Sequence, residues 1–227
     1  MSYLATFDID NTLIRSSAGH VQALIMAIGA IYGLETSIDV INHHGMTDQE
    51  IIIRILAKHD VDPEIVHAKL NKCMEYMLRQ YARIVQSENI YMLEGVIELM
   101  NKLDQNGFLL GLVTGNLQKI ARAKLEKIGI NHFFKFGGFG SDHINRTKLI
   151  KIAVKRAEKQ FGLDAGRLVF HFGDAPQDMR AAREAGVISI GVTTGIFPAE
   201  ELKTAGAHKV FPNLKDTDTI LKFLLNA

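Results

Sequence analysis

The chain has 227 residues, of which 47% are hydrophobic, and its 26 basic and 25 acidic residues leave a formal net charge of +1. This length and apolar content predict a globular protein with one large domain, or one domain plus a smaller insertion. No basic run is long enough to follow a phosphate backbone, and the single cysteine, Cys73, excludes a disulfide framework within the chain.

The first predicted strand ends in two closely spaced acids. Asp8 and Asp10 follow the apolar run 4–7 and are separated by one residue. Residues i and i+2 of a strand lie on the same face, so the two carboxylates are expected to lie close together. Such a pair either shares a proton or is neutralised by a hard cation such as Mg²⁺, although Asp also follows strands simply as a turn residue. A calcium-binding loop is excluded, because Leu13 and Gly19 occupy the positions that need Gly and Glu.

The next segment has helical spacing. Apolar residues recur at intervals of three and four and predict helices near 21–31, 51–56 and 63–85. Pro63 suits the first turn of the third helix. Residues 16–86 are therefore predicted to form an all-helical module.

From about residue 90 onwards the pattern alternates. The predicted elements are helices at 95–105, 117–128, 147–161 and 176–185, and strands at 108–113, 133–136, 168–172, 187–192 and 209–211. Alternation of this kind predicts parallel strands with helices on both faces. The expected fold class is α/β, a doubly wound parallel sheet with an inserted helical domain.

Polar clusters follow two later strands. Thr114-Gly115-Asn116 follows the strand 108–113 and offers a hydroxyl and backbone N–H groups near a helix start, where a phosphate could sit. Asp174 and Asp178 follow the strand 168–172. Each cluster alone could be only a turn or a helix cap. Because ligands of open parallel sheets bind beyond the carboxyl ends of the strands, the clusters together predict one polar site.

These motifs carry a family resemblance. The chain resembles phosphatases of the haloacid dehalogenase superfamily, in particular the phosphoglycolate phosphatase-like branch, in order over essentially its whole length. Residues 8–13 (DIDNTL) match the first family motif, 114–116 the second and 173–178 the fourth. The dehalogenases proper lack the second aspartate, so Asp10 favours the phosphatases. The resemblance implies a Rossmann-like core at 1–15 and 87–227 and a helical cap domain at 16–86.

The resemblance also implies a mechanism. Asp8 would attack phosphorus to form an aspartyl phosphate, and Asp10 would protonate the leaving alcohol and then deprotonate water. Thr114 would hold a phosphoryl oxygen.

Further residues follow from the same resemblance. Mg²⁺ would be bound by the Asp8 side chain, the Asp10 carbonyl, Asp174 and Asp178. The substrate would contact Thr12, Gly115, Asn116, His44 and Thr47.

The third motif departs from the family pattern. Family members usually present Lys followed by Pro-x-Pro, whereas this chain has Asn145-Arg146-Thr147-Lys148. Thr147 is a plausible cap for the next helix, which puts Arg146 at the position of the family lysine, with Lys148 as the alternative. Arginine can clamp carboxylate and phosphate oxygens, but either residue could instead be a solvated base at a helix start.

Substrate choice would belong to the cap. Residues 43–48 (HHGMTD) resemble the family's specificity loop, and His44, Thr47 and His20 could touch the leaving group, although ordinary loop chemistry explains them nearly as well. His171 lies within a strand and is predicted to be a hydrogen-bonded core histidine. One basic cluster is predicted to form a solvated helix face: Lys119, Arg122, Lys124 and Lys127.

Three alternatives stay open. A signalling receiver module also has an acidic metal pocket, but the spacing of its acids and its length differ. A nucleotide-binding module is disfavoured, because residues 138–140 give only a fragment of the dinucleotide fingerprint. A phosphomutase on the same scaffold cannot be separated from a phosphatase by motifs. The expected partner is a small phosphate ester, and neither nucleic acid nor a membrane is expected to bind. The protein is expected to be a cytoplasmic monomer or homodimer. Asp8 and Asp10 interrupt any secretory segment, and the most apolar stretch, 23–34, is too short to span a membrane.

Overall fold

The computed structural model describes residues 3–16, 18–162 and 168–227. Its elements in chain order are β1 (Tyr3–Phe7), β2 (Ile14–Ser16), α1 (Gly19–Tyr32), α2 (Asp48–Lys58), α3 (Pro63–Ile84), β3 (Ile90–Met92), α4 (Val96–Gln105), β4 (Phe108–Thr114), α5 (Gln118–Lys127), β5 (Phe136–Phe139), α6 (Arg146–Phe161), β6 (Val169–Gly173), α7 (Pro176–Ala185), β7 (Ile188–Val192), α8 (Ala199–Thr204), β8 (Lys209–Phe211) and α9 (Thr217–Leu225).

The larger sheet places the predicted polar clusters at one edge. Its strand order is β5-β4-β1-β6-β7-β8, and every neighbouring pair is parallel. The central strand β1 lies between β4 and β6, with Phe7 opposite Leu112 and Phe172. The residues that follow these three strands therefore emerge side by side. The predicted α/β fold class with a doubly wound parallel sheet is confirmed.

One predicted strand is displaced. The apolar pair Phe133-Phe134 predicted a strand at 133–136, but a short 3-10 turn spans Asn131–Phe133 and the strand is Phe136–Phe139. Gly137 and Gly138 weaken the strand signal because they carry no side chain. The close packing of α6 explains the second glycine, since a Cβ at Gly138 would lie 2.0 Å from the Leu149 carbonyl oxygen.

The helices α1, α2 and α3 share an apolar cluster separate from that of the sheet. This cluster also includes Leu117 and Ile120, at the start of α5. Helix α3 begins as predicted at Pro63, and the Asp62 side chain accepts a hydrogen bond from the Glu64 N–H. The division into a core at 1–15 and 87–227 and a cap at 16–86 stays a prediction.

The chain leaves and re-enters the sheet region through paired strands. β2 and β3 form a two-stranded antiparallel sheet in which Ser16 lies opposite Ile90. The ends of the helical segment therefore lie side by side. Within the described part of the chain, no helix is long and apolar enough to cross a membrane.

Candidate active site

A cavity of about 310 Å³ lies where the helical segment faces the carboxyl ends of the strands. The sheet side contributes Asp8, Asp10, Gly115, Asn116, Arg146 and Asp174, and the helical side contributes His20, Leu24, His43, His44, Met46 and Asp48 among others. Ligand cavities usually measure about 300–1,000 Å³, so this one suits a small molecule.

Three buried carboxylates lie close together at the cavity, and two of them, Asp8 and Asp174, line it. Asp8, Asp174 and Asp178 each offer an oxygen within 4.8 Å of the others. Burial raises the pKa of Asp8 to about 6 against the opposing charge of Arg146. Burial, together with the nearby Asp178 and Asp8, raises the pKa of Asp174 to about 8. Ionisation of Asp8 and Asp174 beside Asp178 is therefore unfavourable, and a bound cation would reduce that cost.

The donor set fits a hard divalent cation. Carboxylate oxygens are the ligands that Mg²⁺ prefers in proteins, and the Asp8, Asp174 and Asp178 oxygens are close enough to share one ion. The position of Asp178 is also fixed by the protein, because its carboxylate accepts hydrogen bonds from the Ala175 N–H and from Arg146. Despite burial, the Arg146 guanidinium holds the pKa of Asp178 below its usual range.

Arg146 is placed by the start of α6. The Asn145 side chain caps this helix by accepting a hydrogen bond from the Lys148 N–H at 3.1 Å. The predicted cap, Thr147, was wrong, because its hydroxyl instead donates to Glu184. Arg146 is only 9% exposed, contacts Asp178 and has its Nη1 3.6 Å from the Asp8 Oδ1.

Lys148 lies outside this cluster. It is exposed, its Nζ lies 3.2 Å from the His143 Nε2, and it does not line the cavity. The two candidates for the third motif therefore differ in position, and Arg146 alone of the two contacts the carboxylates.

Two buried side chains support the carboxylates from within the core. The Thr12 hydroxyl is fully buried, lies 3.5 Å from the Asp174 Oδ1 and does not line the cavity. The substrate contact expected for Thr12 stays a prediction. His171 is a core histidine, as predicted, with its Nδ1 3.0 Å from the Thr6 hydroxyl. Its Nε2 lies 3.5 Å from the Asp178 carboxylate.

Asp10 forms a salt bridge with a buried lysine. The Lys124 Nζ donates to the two Asp10 carboxylate oxygens at 2.7 and 2.8 Å. The Asn116 amide donates to the same carboxylate at 2.8 Å. Burial opposes ionisation of Asp10, but the charges of Lys124 and His20 and these hydrogen bonds outweigh it and lower the pKa of Asp10 to about 2.

The prediction of a solvated face was wrong for Lys124. Its exposure is 0%, whereas Lys119 on the same helix is exposed. The sequence does contain a signal, since Lys124 follows Ile120 by four residues and precedes Leu125, and both of these are buried. Helical spacing thus assigns Lys124 to the apolar face of α5.

The loop after β4 fits tightly against the helical segment. Thr114 is fully buried, and its hydroxyl accepts a hydrogen bond from the Asn116 amide at 2.9 Å. A Cβ at Gly115 would lie 2.3 Å from the Met46 carbonyl oxygen. The Gly115 carbonyl accepts a hydrogen bond from the Asp48 N–H at 2.9 Å. Only glycine permits this approach.

The predicted cap residues separate into two groups. His44 lines the cavity, stacks on His43 with ring centroids 4.6 Å apart and packs edge-on against Phe197. Thr47 is 1% exposed and caps α2, since its hydroxyl accepts a hydrogen bond from the Glu50 N–H at 3.3 Å. Thr47 does not line the cavity in this structure, and the substrate contact expected for it stays a prediction.

Asp48 belongs to the segment 43–48 that resembles the specificity loop, but no role was predicted for it. It is buried, accepts a hydrogen bond from the Leu117 N–H at 2.8 Å, and lies 3.2 Å from the His20 Nε2. An acid in the first turn of a helix is ordinarily explained by the helix dipole, so the position of Asp48 in the sequence does not indicate a contact with the residue before α5.

The comparisons with known proteins cover both the sheet and the helical segment. A family model described as "Haloacid dehalogenase-like hydrolase" matches residues 5–192. A phosphoglycolate phosphatase from Agrobacterium fabrum is 30% identical over 196 residues, which is 86% of this chain and 82% of that protein. One from Escherichia coli O157:H7 is 24% identical over 92% of this chain and 88% of its own length. A crystal structure of a hydrolase from Pseudomonas syringae superposes with a TM-score of 0.71 at 23% identity, covering 98% of this chain and 99% of that one.

Proposed function

Because this chain belongs to the haloacid dehalogenase-like hydrolase family, we propose that it is a Mg²⁺-dependent phosphatase that cleaves a small phosphomonoester through an aspartyl-phosphate intermediate on Asp8. The resemblance inferred from the sequence motifs is confirmed, and the chain is a phosphoric monoester hydrolase. The ion, the intermediate and the substrate belong to the proposal. The observation that carries it is the position of Asp8, on the cavity floor between a carboxylate cluster and Arg146.

Asp8 would act as the nucleophile. A carboxylate oxygen attacks phosphorus as the bond to the leaving oxygen breaks, which splits one difficult displacement into two easier steps. The Asp8 carboxylate, the Asp10 carbonyl, Asp174 and Asp178 would hold Mg²⁺. When bound, this ion would screen the repulsion between the carboxylate and the phosphate and orient the phosphoryl oxygens.

Asp10 would move the proton. Its carboxyl group gives a proton to the leaving oxygen, which takes the electron pair of the breaking bond, and the resulting carboxylate accepts a proton from the water that hydrolyses the intermediate. A phosphate entering the cavity brings negative charge beside Asp10. Like charge raises the pKa of a carboxyl group, so substrate binding favours the protonated form that the first step needs.

The phosphoryl oxygens would be held by the loop after β4 and by Arg146. The Thr114 hydroxyl, whose oxygen already accepts from Asn116, keeps its own proton to donate. The backbone N–H groups near Gly115 and the Arg146 guanidinium would add further donors. Removing one donor of this kind commonly costs about 2.7–4 kcal/mol in transition-state stabilisation.

The leaving group would occupy the part of the cavity that His44 and the apolar side chains of the helical segment line. The phosphoglycolate phosphatase relatives make phosphoglycolate a first substrate to test, and the cavity volume also suits a small sugar phosphate. The cytoplasmic location and the monomeric or homodimeric state stay predictions.

The test measures phosphate release from p-nitrophenyl phosphate with and without Mg²⁺. Asp8→Asn should reduce turnover at least about 1,000-fold with the fold retained, and wild-type protein in excess chelator should also be inactive. Asp104→Asn, which alters an exposed acid on α4, is the matched control. Acid quench followed by mass spectrometry should find phosphate on Asp8. Turnover in the Asp8→Asn variant would refute the proposed nucleophile, and transfer of phosphate to an added sugar phosphate instead of water would indicate the mutase.

A further inference from the structure

A charged side chain with no access to solvent lies beside the proposed proton donor. Lys124 is fully buried on α5, and lysine is almost never fully buried unless it is paired. Removing an ammonium group from water is costly, so the fold compensates it with specific contacts. The family motifs inferred from the sequence do not include this lysine.

The contacts of Lys124 use all of its donors within the protein. Its Nζ lies 2.7 and 2.8 Å from the two Asp10 oxygens, 2.8 Å from the Asn116 Oδ1 and 3.1 Å from the His20 Nδ1. An ammonium group has only three N–H donors. No donor is therefore left over for a substrate oxygen, and the side chain serves its protein partners.

The helical segment supplies part of this site. His20 belongs to α1, and its second ring nitrogen lies 3.2 Å from Asp48 of α2. Asp48 accepts a hydrogen bond from the Leu117 N–H, next to the first residue of α5. The contacts therefore run from Lys124 of α5 through α1 and α2 to the residue before α5, and they require α1 and α2 to pack against this helix.

Resting on the proposed role of Asp10, we propose that Lys124 is a positioning residue that fixes the Asp10 carboxyl group for proton transfer to the leaving oxygen, and that His20 fixes Lys124 in turn. The two N–H···O contacts to Asp10 restrict rotation of the carboxyl group. Without them the Asn116 amide still donates to one Asp10 oxygen, but the carboxyl group can rotate over a wider range, only part of which faces the bridging oxygen of the ester. Holding the reacting groups in the correct orientation is a large part of what a catalytic site contributes to the rate.

Two aryl phosphates that differ only by a para nitro group distinguish this role from a purely structural one. Phenoxide is a poor leaving group, with a conjugate-acid pKa of about 10, like that of tyrosine, and it needs the proton. p-Nitrophenoxide is a much better leaving group and departs with little assistance. The ratio kcat/KM reports steps up to formation of the aspartyl phosphate, so it isolates the proton donation from the later attack of water.

The expected result is a selective loss. Lys124→Met should lower kcat/KM for phenyl phosphate about 100-fold, the lower end of a general-acid contribution, and for p-nitrophenyl phosphate less than about fivefold. Lys119→Met, the same change at an exposed position of α5, should leave both values unchanged. His20→Ala should shift the same ratio in the same direction but less. Mg²⁺ affinity measured by calorimetry should stay within about threefold of wild type, since the proposed ligands are untouched.

A second comparison covers the case in which Lys124→Met fails to fold because it leaves the Asp10 carboxylate buried without its charge partner. Asp10→Asn removes that charge, so Asp10→Asn and Asp10→Asn/Lys124→Met can be compared directly. If Lys124 acts through Asp10, the second substitution should change kcat/KM for phenyl phosphate less than about twofold in this background.

Two outcomes would overturn the inference. One is an equal loss on both aryl phosphates in Lys124→Met, and the other is a tenfold or greater additional loss in the Asp10→Asn background. Failure of the proposed function is distinguishable from both, because the wild-type protein would then release no phosphate from p-nitrophenyl phosphate at all.

Discussion

Replacing Arg146 by Met should destabilise the protein by about 3–5 kcal/mol, because the change leaves Asp178 as a buried carboxylate without its charge partner. Asp178 is fully buried and Arg146 is 9% exposed, so water cannot take over the role of the guanidinium. For a protein of this size, 1 kcal/mol corresponds to about 2–4 °C, and the expected fall in Tm is about 6–20 °C. The measurement is thermal unfolding followed by circular dichroism at pH 8 in chelator.

The loss should depend on pH. Arg146 holds the pKa of Asp178 below its usual range, so the stabilisation is present above the unfolded-state pKa of about 4 and is lost as the pH falls through the lower, folded-state value. Without Arg146 the pKa of Asp178 should rise, and protonation should then reduce the deficit at pH 5 relative to pH 8.

The control is Lys148→Met, two residues further along α6. Lys148 is exposed and contacts only the His143 ring among the side chains described, so its replacement should change the unfolding free energy by less than about 0.5 kcal/mol. The reasoning is refuted if Arg146→Met lowers the Tm by less than about 2 °C at pH 8, or by no more than Lys148→Met does.

Four further predictions concern the cavity. Burial holds the pKa of Asp8 at about 6 and that of Asp174 at about 8, so in chelator the folded state should bind protons and gain stability as the pH falls from 8 to 5.5. Mg²⁺ at about 100 times its Kd should raise the unfolding free energy by about 2.7 kcal/mol at pH 8, or the Tm by about 5–11 °C, and should raise both less at pH 5.5. If calorimetric scans gave equal Tm shifts at the two pH values, the assignment of these carboxylates as ligands would be contradicted. Asp174→Asn should raise the Tm in chelator at pH 8, because it relieves repulsion, and weaken Mg²⁺ binding at least about tenfold by titration calorimetry; unchanged affinity would remove Asp174 from the ligand set. Gly115→Ala should cost about 1–3 kcal/mol in urea unfolding, because its Cβ would lie 2.3 Å from the Met46 carbonyl oxygen. Gly29→Ala in α1 should be neutral or stabilising, because its Cβ would lie 3.7 Å from the nearest atom, the Leu34 carbonyl oxygen, which is an ordinary contact.

The strands of the core could be predicted because they are buried on both faces. Runs such as 108–113 and 187–192 are nearly continuous apolar segments, and the observed strands differ from the predicted ones by a single residue. The paired strands β2 and β3 have three residues each, too few for a period to show, and they were missed. Helices α8 and α9 were also missed, where short amphipathic stretches follow turns.

The residues of the site also fall into two groups, those that could be predicted from the sequence and those that could not. The acids that follow strand ends could be placed from sequence, because parallel register brings the ends of neighbouring strands together, as it does for Asp8 and Asp174. Lys124 and Asp48 lie on helices, and their contacts arise only when α1, α2 and α5 pack together. Helical spacing can indicate that Lys124 is buried, but it does not indicate which residue from a distant part of the chain lies opposite it.

The pairing of β2 with β3 has a consequence for how the sheet could be built without the helices. Ser16 and Ile90 are opposite partners in an antiparallel ladder, about 5 Å apart, so everything between them is, in topology, one elaborated hairpin loop. A two-residue reverse turn could close that gap without moving either strand. In a protein shortened in this way, Leu117 and Ile120 would be exposed to solvent, and polar replacements at those two positions would be needed to prevent self-association.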